Sequence, residues 1–134
     1  MKEFQIGVKA LIVDNGNILL MKRSKKYHGA SLEGVLDIPG GRINFGEEPI
    51  DGLRREIKEE TGMELDNIKR ILDASTIFKD EKRHIVRITY LCSVKDTNVV
   101  MSEEHTEIQW TPLEKIDFEF KDKLIGKCVK LIST

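Results

Sequence analysis

The stretch that most constrains this chain runs from Gly40 to Met63, GGRINFGEEPIDGLRREIKEETGM. Pro49 suits the first turn of a helix, where its missing N–H costs nothing, and Gly62 stands where a left-handed C-terminal cap is wanted. Between them, Ile50, Leu53 and Ile57 recur at i, i+3 and i+7, the spacing of one buried helical stripe. At about 100° per residue, Glu56, Glu59 and Glu60 fall within a sector of about 100° beside that stripe. Carboxylates this close repel one another and weaken the helix unless something positive sits among them. Hard divalent cations, Mg²⁺ or Mn²⁺, are the candidates, because they prefer carboxylate and carbonyl oxygens. The turn Pro39-Gly40-Gly41-Arg42 has a backbone that could reach the same ion, and Glu47, just before the helix, could fold back toward it. The bland alternative is a solvated face laced by bridges such as Arg55–Glu59. It leaves the paired glycines and Glu47 unexplained.

Written by spacing, the segment is Gly41, five residues, Glu47, seven residues, Arg55-Glu56-Ile57, one residue, Glu59-Glu60, one residue, Gly62-Met63. This resembles the Nudix box, G-x5-E-x7-R-E-U-x-E-E-x-G-U with U a bulky aliphatic, and all nine defining positions are filled. The box covers 23 residues, about a sixth of the chain. The resemblance implies hydrolysis of a phosphoanhydride bond in a nucleoside diphosphate linked to another moiety. It also implies Mg²⁺ or Mn²⁺ held by Glu56, Glu59 and Glu60, with the Gly41 carbonyl and Glu47 assisting. Arg55 would orient the carboxylates. Gly40 and Gly41 would meet the substrate. The general base is left open between Glu56 and a later glutamate, Glu104 or Glu107, in a segment E-H-x-E-x-x-W-x-P-L that is similar to the one following the catalytic loop of many family members.

Length and composition agree with one domain spanning residues 1–134, with 40% hydrophobic and 34% charged residues. A net charge of −1 gives no bulk attraction to nucleic acid or membrane, so an anionic substrate needs a local patch or bound metal. Cys92 and Cys128 fit no metal-ligand spacing and read as buried, reduced thiols. No apolar run is as long as a membrane span and Met1-Lys2-Glu3-Phe4 opens no signal peptide, so a cytoplasmic protein is expected.

Taken in order, Phe4–Val13 and Ile18–Arg23 read as strands joined by an Asn15-Gly16 hairpin turn. Lys22-Arg23 ends the second strand. In the similar MutT-type proteins that end faces the substrate, which makes Arg23 a substrate-binding candidate; a solvated strand end is the alternative. Lys25, Lys26, Tyr27 and His28 lie in a polar loop, a further basic rim. Val35–Ile38 is a short strand leading into the glycine turn, with Leu36 where family members often carry tryptophan. Leu65–Phe78, a strand whose apolar pattern is interrupted at Asp73–Thr76, and His84–Val94 form a second hairpin; His84 reads as a surface residue. Glu107–Thr111 is a last strand and Phe120–Ile132 a packing helix. Mixed α and β is all that this element string implies. The resemblance refines it to α+β in the α/β/α sandwich of the Nudix fold, a mixed sheet flanked by the box helix and the C-terminal helix.

For substrate, exclusion of other subfamily signatures leaves the broad MutT-like group. Its members act on nucleoside triphosphates, oxidised ones included, giving a monophosphate and pyrophosphate. ADP-ribose or sugar-nucleotide hydrolysis and a non-catalytic nucleotide sensor are the rival readings. An RNA 5′-end hydrolase would need a basic track, and Lys22 to Lys26 is its single candidate. A homodimer is common in the family and is left open here.

Overall fold

The first strand is the axis of the molecule. β1 (Glu3–Asp14) is buried from Gly7 to Ile12, on both faces, because other elements cover each side of it. The computed structural model describes residues 2–23, 36–100, 105–116 and 119–133. After β1, Asn15 and Gly16 both take positive φ, 47° and 78°, in the two-residue turn that suits strand twist. β2 (Asn17–Arg23) returns antiparallel, pairing Val13 with Ile18. β3 (Leu36–Asp37) and β4 (Gly40–Arg42) follow, then α1 (Pro49–Thr61). β5 (Leu65–Lys79), β6 (Arg83–Val94) and β7 (His105–Pro112) complete the strands, and α2 (Lys123–Ser133) closes the chain.

Sheet order is β3-β2-β1-β6-β5, with β4 beside β1 and β7 beside β2. β1 and β6 run parallel from Glu3–Arg83 to Ile12–Cys92, and the other pairs are antiparallel. Alternation along β1 splits the core in two. Val8, Ala10 and Ile12 pack with Leu53 and Ile57 of α1. Leu11 packs on the other side with Ile125, Cys128 and Val129 of α2. The mixed sheet between two helices is the α+β arrangement expected from the sequence.

Three local expectations need correction. Ile50, assigned to the buried stripe, is 36% exposed; the inner side of α1 is Gly52, Leu53, Ile57, Glu60 and Thr61. Helical periodicity sets a direction but does not say whether anything covers the first turn. Gly40–Arg42, read as a turn, is strand β4, paired with β1 from Gly7 to Lys9. A Cβ at Gly40 would lie 2.0 Å from the Val8 carbonyl oxygen, so glycine is what lets this ladder close. β5 runs through Asp73–Thr76 as one strand, as expected, and register shifts along it absorb the irregular apolar pattern while Asp73 stays paired opposite Thr89. The last helix begins at Lys123 rather than Phe120. Asp122 Oδ1 accepts from the backbone N–H groups of Leu124 (3.0 Å) and Ile125 (3.2 Å), an N-cap that sets the start.

Candidate functional site

The helix ends are as the sequence predicts: Pro49 opens α1, and Gly62 (φ 74°) ends it, donating to the Lys58 carbonyl at 2.9 Å. On this helix Arg55 is a hub. Its Nε and Nη2 donate to the two carboxylate oxygens of Glu47, both at 2.9 Å. Its Nη1 donates to Glu56 at 2.8 Å and to Glu59 at 3.3 Å, and Nη2 also reaches the Arg42 carbonyl at 3.1 Å. Glu47 accepts in addition from the Asn44 backbone N–H at 2.9 Å. The Arg55 hydrogen bonds, then the Asn44 N–H, hold the Glu47 pKa down at about 2. Gly52 permits the fold-back, since a Cβ there would stand 2.5 Å from Ile43 Cγ2 and 2.9 Å from Glu47 Oε1. A glycine inside a helix costs about 1 kcal/mol, so it was a readable sign of a close approach.

Beside this hub a cavity of about 410 Å³ opens between β1, β4, β6 and α1. Glu56, Glu60, Gly40 and Gly41 line it, and the Gly40 N–H points at Glu60 Oε2 from 3.5 Å. A Cβ at Gly41 would lie 2.4 Å from Glu56 Oε2, so any other residue there would make the Glu56 carboxylate shift away from β4. Three charged residues that sequence reasoning missed also line the cavity: Lys9, Asp37 and Arg87. Lys9 Nζ donates to Asp37 Oδ1 at 2.8 Å and to the Ile38 carbonyl at 2.9 Å. Arg87 donates through Nη1 and Nη2 to Asp122 at 2.8 and 3.0 Å. Their signal was present, as each is a charge set among apolar neighbours in a strand.

The expected site residues thus divide. Glu56, Glu60, Gly40 and Gly41 meet at the cavity. Glu59 is 59% exposed and Glu47 is turned to Arg55. Glu107 stands on β7, bridged to Lys22 at 3.1 Å and outside the cavity wall. The backbone of Arg23 pairs with His105 in the β2–β7 ladder, and its side chain is outside the description. Glu104, Lys25, Lys26, Tyr27 and His28 lie outside the described residues. His84 lies beside Thr76 Oγ1 at 2.8 Å and against the Phe4 ring, a surface setting. Cys92 and Cys128 are free and buried, and burial pushes the Cys92 thiol up to about 12.

Among the described residues, no three His, Cys, Asp or Glu side chains form a ready cation cage. The donor chemistry nonetheless suits a hard divalent ion: the Glu56 and Glu60 carboxylates and the β4 backbone bring oxygen to one wall of the cavity.

A family model described as NUDIX domain matches residues 3–129. The chain is 27% identical over 112 residues to an ADP-ribose pyrophosphatase of Methanocaldococcus jannaschii, covering 83% of this chain and 63% of that protein. It is 36% identical over 63 residues to an 8-oxo-dGTP diphosphatase of Escherichia coli, covering 47% and 46% respectively. The chain therefore spans only part of the length of the curated relatives it matches. A crystal structure of a MutT NUDIX hydrolase from Burkholderia pseudomallei superposes with a TM-score of 0.76 at 25% identity, covering 95% of this chain and 97% of that one.

Proposed function

The chain belongs to the Nudix family, and we propose that it is a divalent-metal-dependent pyrophosphohydrolase of a nucleoside diphosphate linked to another moiety. The observation that carries this reading is the convergence of Glu56, Glu60 and the Gly40–Gly41 strand on one cavity, beside an arginine that already binds Glu47, Glu56 and Glu59. Glu56, Glu59 and Glu60, with Glu47 and the Gly41 carbonyl, are the residues that would hold Mg²⁺ or Mn²⁺. Such ions, when bound, neutralise the diphosphate and acidify a water. Arg55 aims Glu56 through its 2.8 Å hydrogen bond, a positioning role. Of the candidate bases, Glu56 is favoured because it lines the cavity, whereas Glu107 is engaged with Lys22.

For substrate we propose a nucleoside triphosphate, oxidised forms included, cleaved to a monophosphate and pyrophosphate. The relative that acts on 8-oxo-dGTP supports this. A second reading, ADP-ribose, is favoured by the relative that matches over more of the chain. Among the described residues no helix is long and apolar enough to cross a membrane. We read the chain as cytoplasmic, a setting that keeps two buried thiols reduced.

The test is product release from a panel of triphosphates, oxidised triphosphates, ADP-ribose and sugar nucleotides, with Mg²⁺ or Mn²⁺. Metal-dependent release on one group supports hydrolysis and names the substrate. Tight nucleotide binding without turnover on any of them would replace the hydrolase with a sensor.

A further inference from the structure

Lys9 is 8% exposed in the middle of a strand whose neighbours Val8, Ala10, Leu11 and Ile12 are wholly buried. Taking an ammonium and a carboxylate out of water is costly, and a well-packed apolar pair often serves a fold as well or better. Here the pair has a particular place. β3 lies against β2, whereas β4 lies against β1, so the chain from Asp37 to Gly40 must step from one strand's flank to another's. Lys9 clamps the start of that step. Its ammonium holds Asp37 Oδ1 and the Ile38 carbonyl together, and the same Oδ1 accepts from the Ile38 N–H at 2.8 Å. The Ala10 N–H then takes the Pro39 carbonyl at 2.9 Å, and Gly40 closes on Val8 and Lys9. The box carboxylates line the same cavity as Lys9 and Asp37, Glu56 against Gly41 and Glu60 opposite the Gly40 N–H.

We propose that the Lys9–Asp37 pair is a positioning device. It fixes the height of the Gly40–Gly41 strand against Glu56 and Glu60, and so tunes the oxygen set offered to the divalent ion. The inference rests on the metal-dependent reading above. It assigns no contact with substrate to Lys9. Its content is that the pair can be replaced without loss of the fold, but not without loss of the site.

The probe is Mn²⁺ alone, followed as free ion by electron paramagnetic resonance, with thermal melts and nucleotide turnover alongside. Lys9→Met removes one charge of a buried pair and tests the fold as much as the site, so the deciding variant is K9M/D37L, which removes both charges together. The expected result is a melting temperature near that of the unaltered protein, with Mn²⁺ affinity and kcat each lowered about 10–100-fold, as for other groups that orient ligands. Unaltered Mn²⁺ affinity in a folded K9M/D37L protein would overturn the proposal. Glu60→Gln separates the two levels of failure. If it abolishes Mn²⁺ binding while K9M/D37L leaves binding intact, only the positioning role falls. If the unaltered protein takes up no Mn²⁺, the metal-dependent reading falls, and this inference with it.

Discussion

Around Arg55, three carboxylates share one guanidinium; beside α2, each carboxylate has a cation of its own. Arg87 holds Asp122 in a two-bond fork, and Lys127 holds Asp73 at 3.0 Å. Burial works to raise the pKa of Asp122 and Asp73, yet hydrogen bonds from Arg87 to the one and from Lys127 and Ser75 to the other keep both below the ordinary value. The balanced cluster ties β5, β6 and the N-cap of α2 together, which is work for the fold. In the cluster around Arg55, Glu47, Glu56 and Glu59 crowd one guanidinium, and like charges at the spacing of Glu56, Glu59 and Glu60 weaken a helix. That crowding, and not the cavity, which Arg87 also lines, sets the candidate site apart from the Arg87–Asp122 staple.

The sharpest way to break the distinction is Glu60→Gln. Turnover with Mg²⁺ or Mn²⁺ should fall by more than about 100-fold, while the melting temperature holds; normal turnover would make the box cluster structural after all. Next in size is Asp122→Ala, which should destabilise the fold by about 2–3 kcal/mol in denaturant titration, somewhat below a fully buried pair because Asp122 is one-third exposed. Turnover well below the melting temperature should survive it.

A smaller effect sharpens the role of Arg55. The folded Glu47 pKa, about 2, lies below the ordinary carboxylate value of about 4.5, so its contribution to stability is complete above about pH 4.5 and is lost as pH falls toward 2. Glu47→Gln should therefore be less stable than the parent at neutral pH, and the two stability curves should meet near pH 2. A gap that stays constant with pH would show that Arg55 does not select the charged form. Smallest is Cys92, which burial should leave unreactive to an alkylating agent at pH 8 until the protein unfolds. Rapid labelling of the native protein would place that thiol outside the core.

Much of the site was readable because its grammar is local. Carboxylates at helical spacing, a proline at the first turn and a glycine at the end predict the helix and its acidic face from one window of sequence. What was missed is non-local. Lys9 and Asp37 are 28 residues apart, and nothing in either neighbourhood names the other, so each reads alone as a charge in a strand. Gly40–Arg42 reads as a turn because glycines usually make turns; only the proximity of Val8 makes it a strand. The start of α2 is local: Asp122 caps it, whereas the apolar Phe120 extends the hydrophobic pattern two residues before the capping residue.

A thermal melt with Mn²⁺ tests most directly whether the acidic cluster on α1 receives a divalent cation. A ligand that binds only the folded state at 100 times its Kd adds about 2.7 kcal/mol of stability. The unaltered protein should show a clear rise in melting temperature in excess Mn²⁺, reduced or absent in Glu59→Gln and Glu60→Gln. No rise in the unaltered protein, or an equal rise in all three, would contradict it.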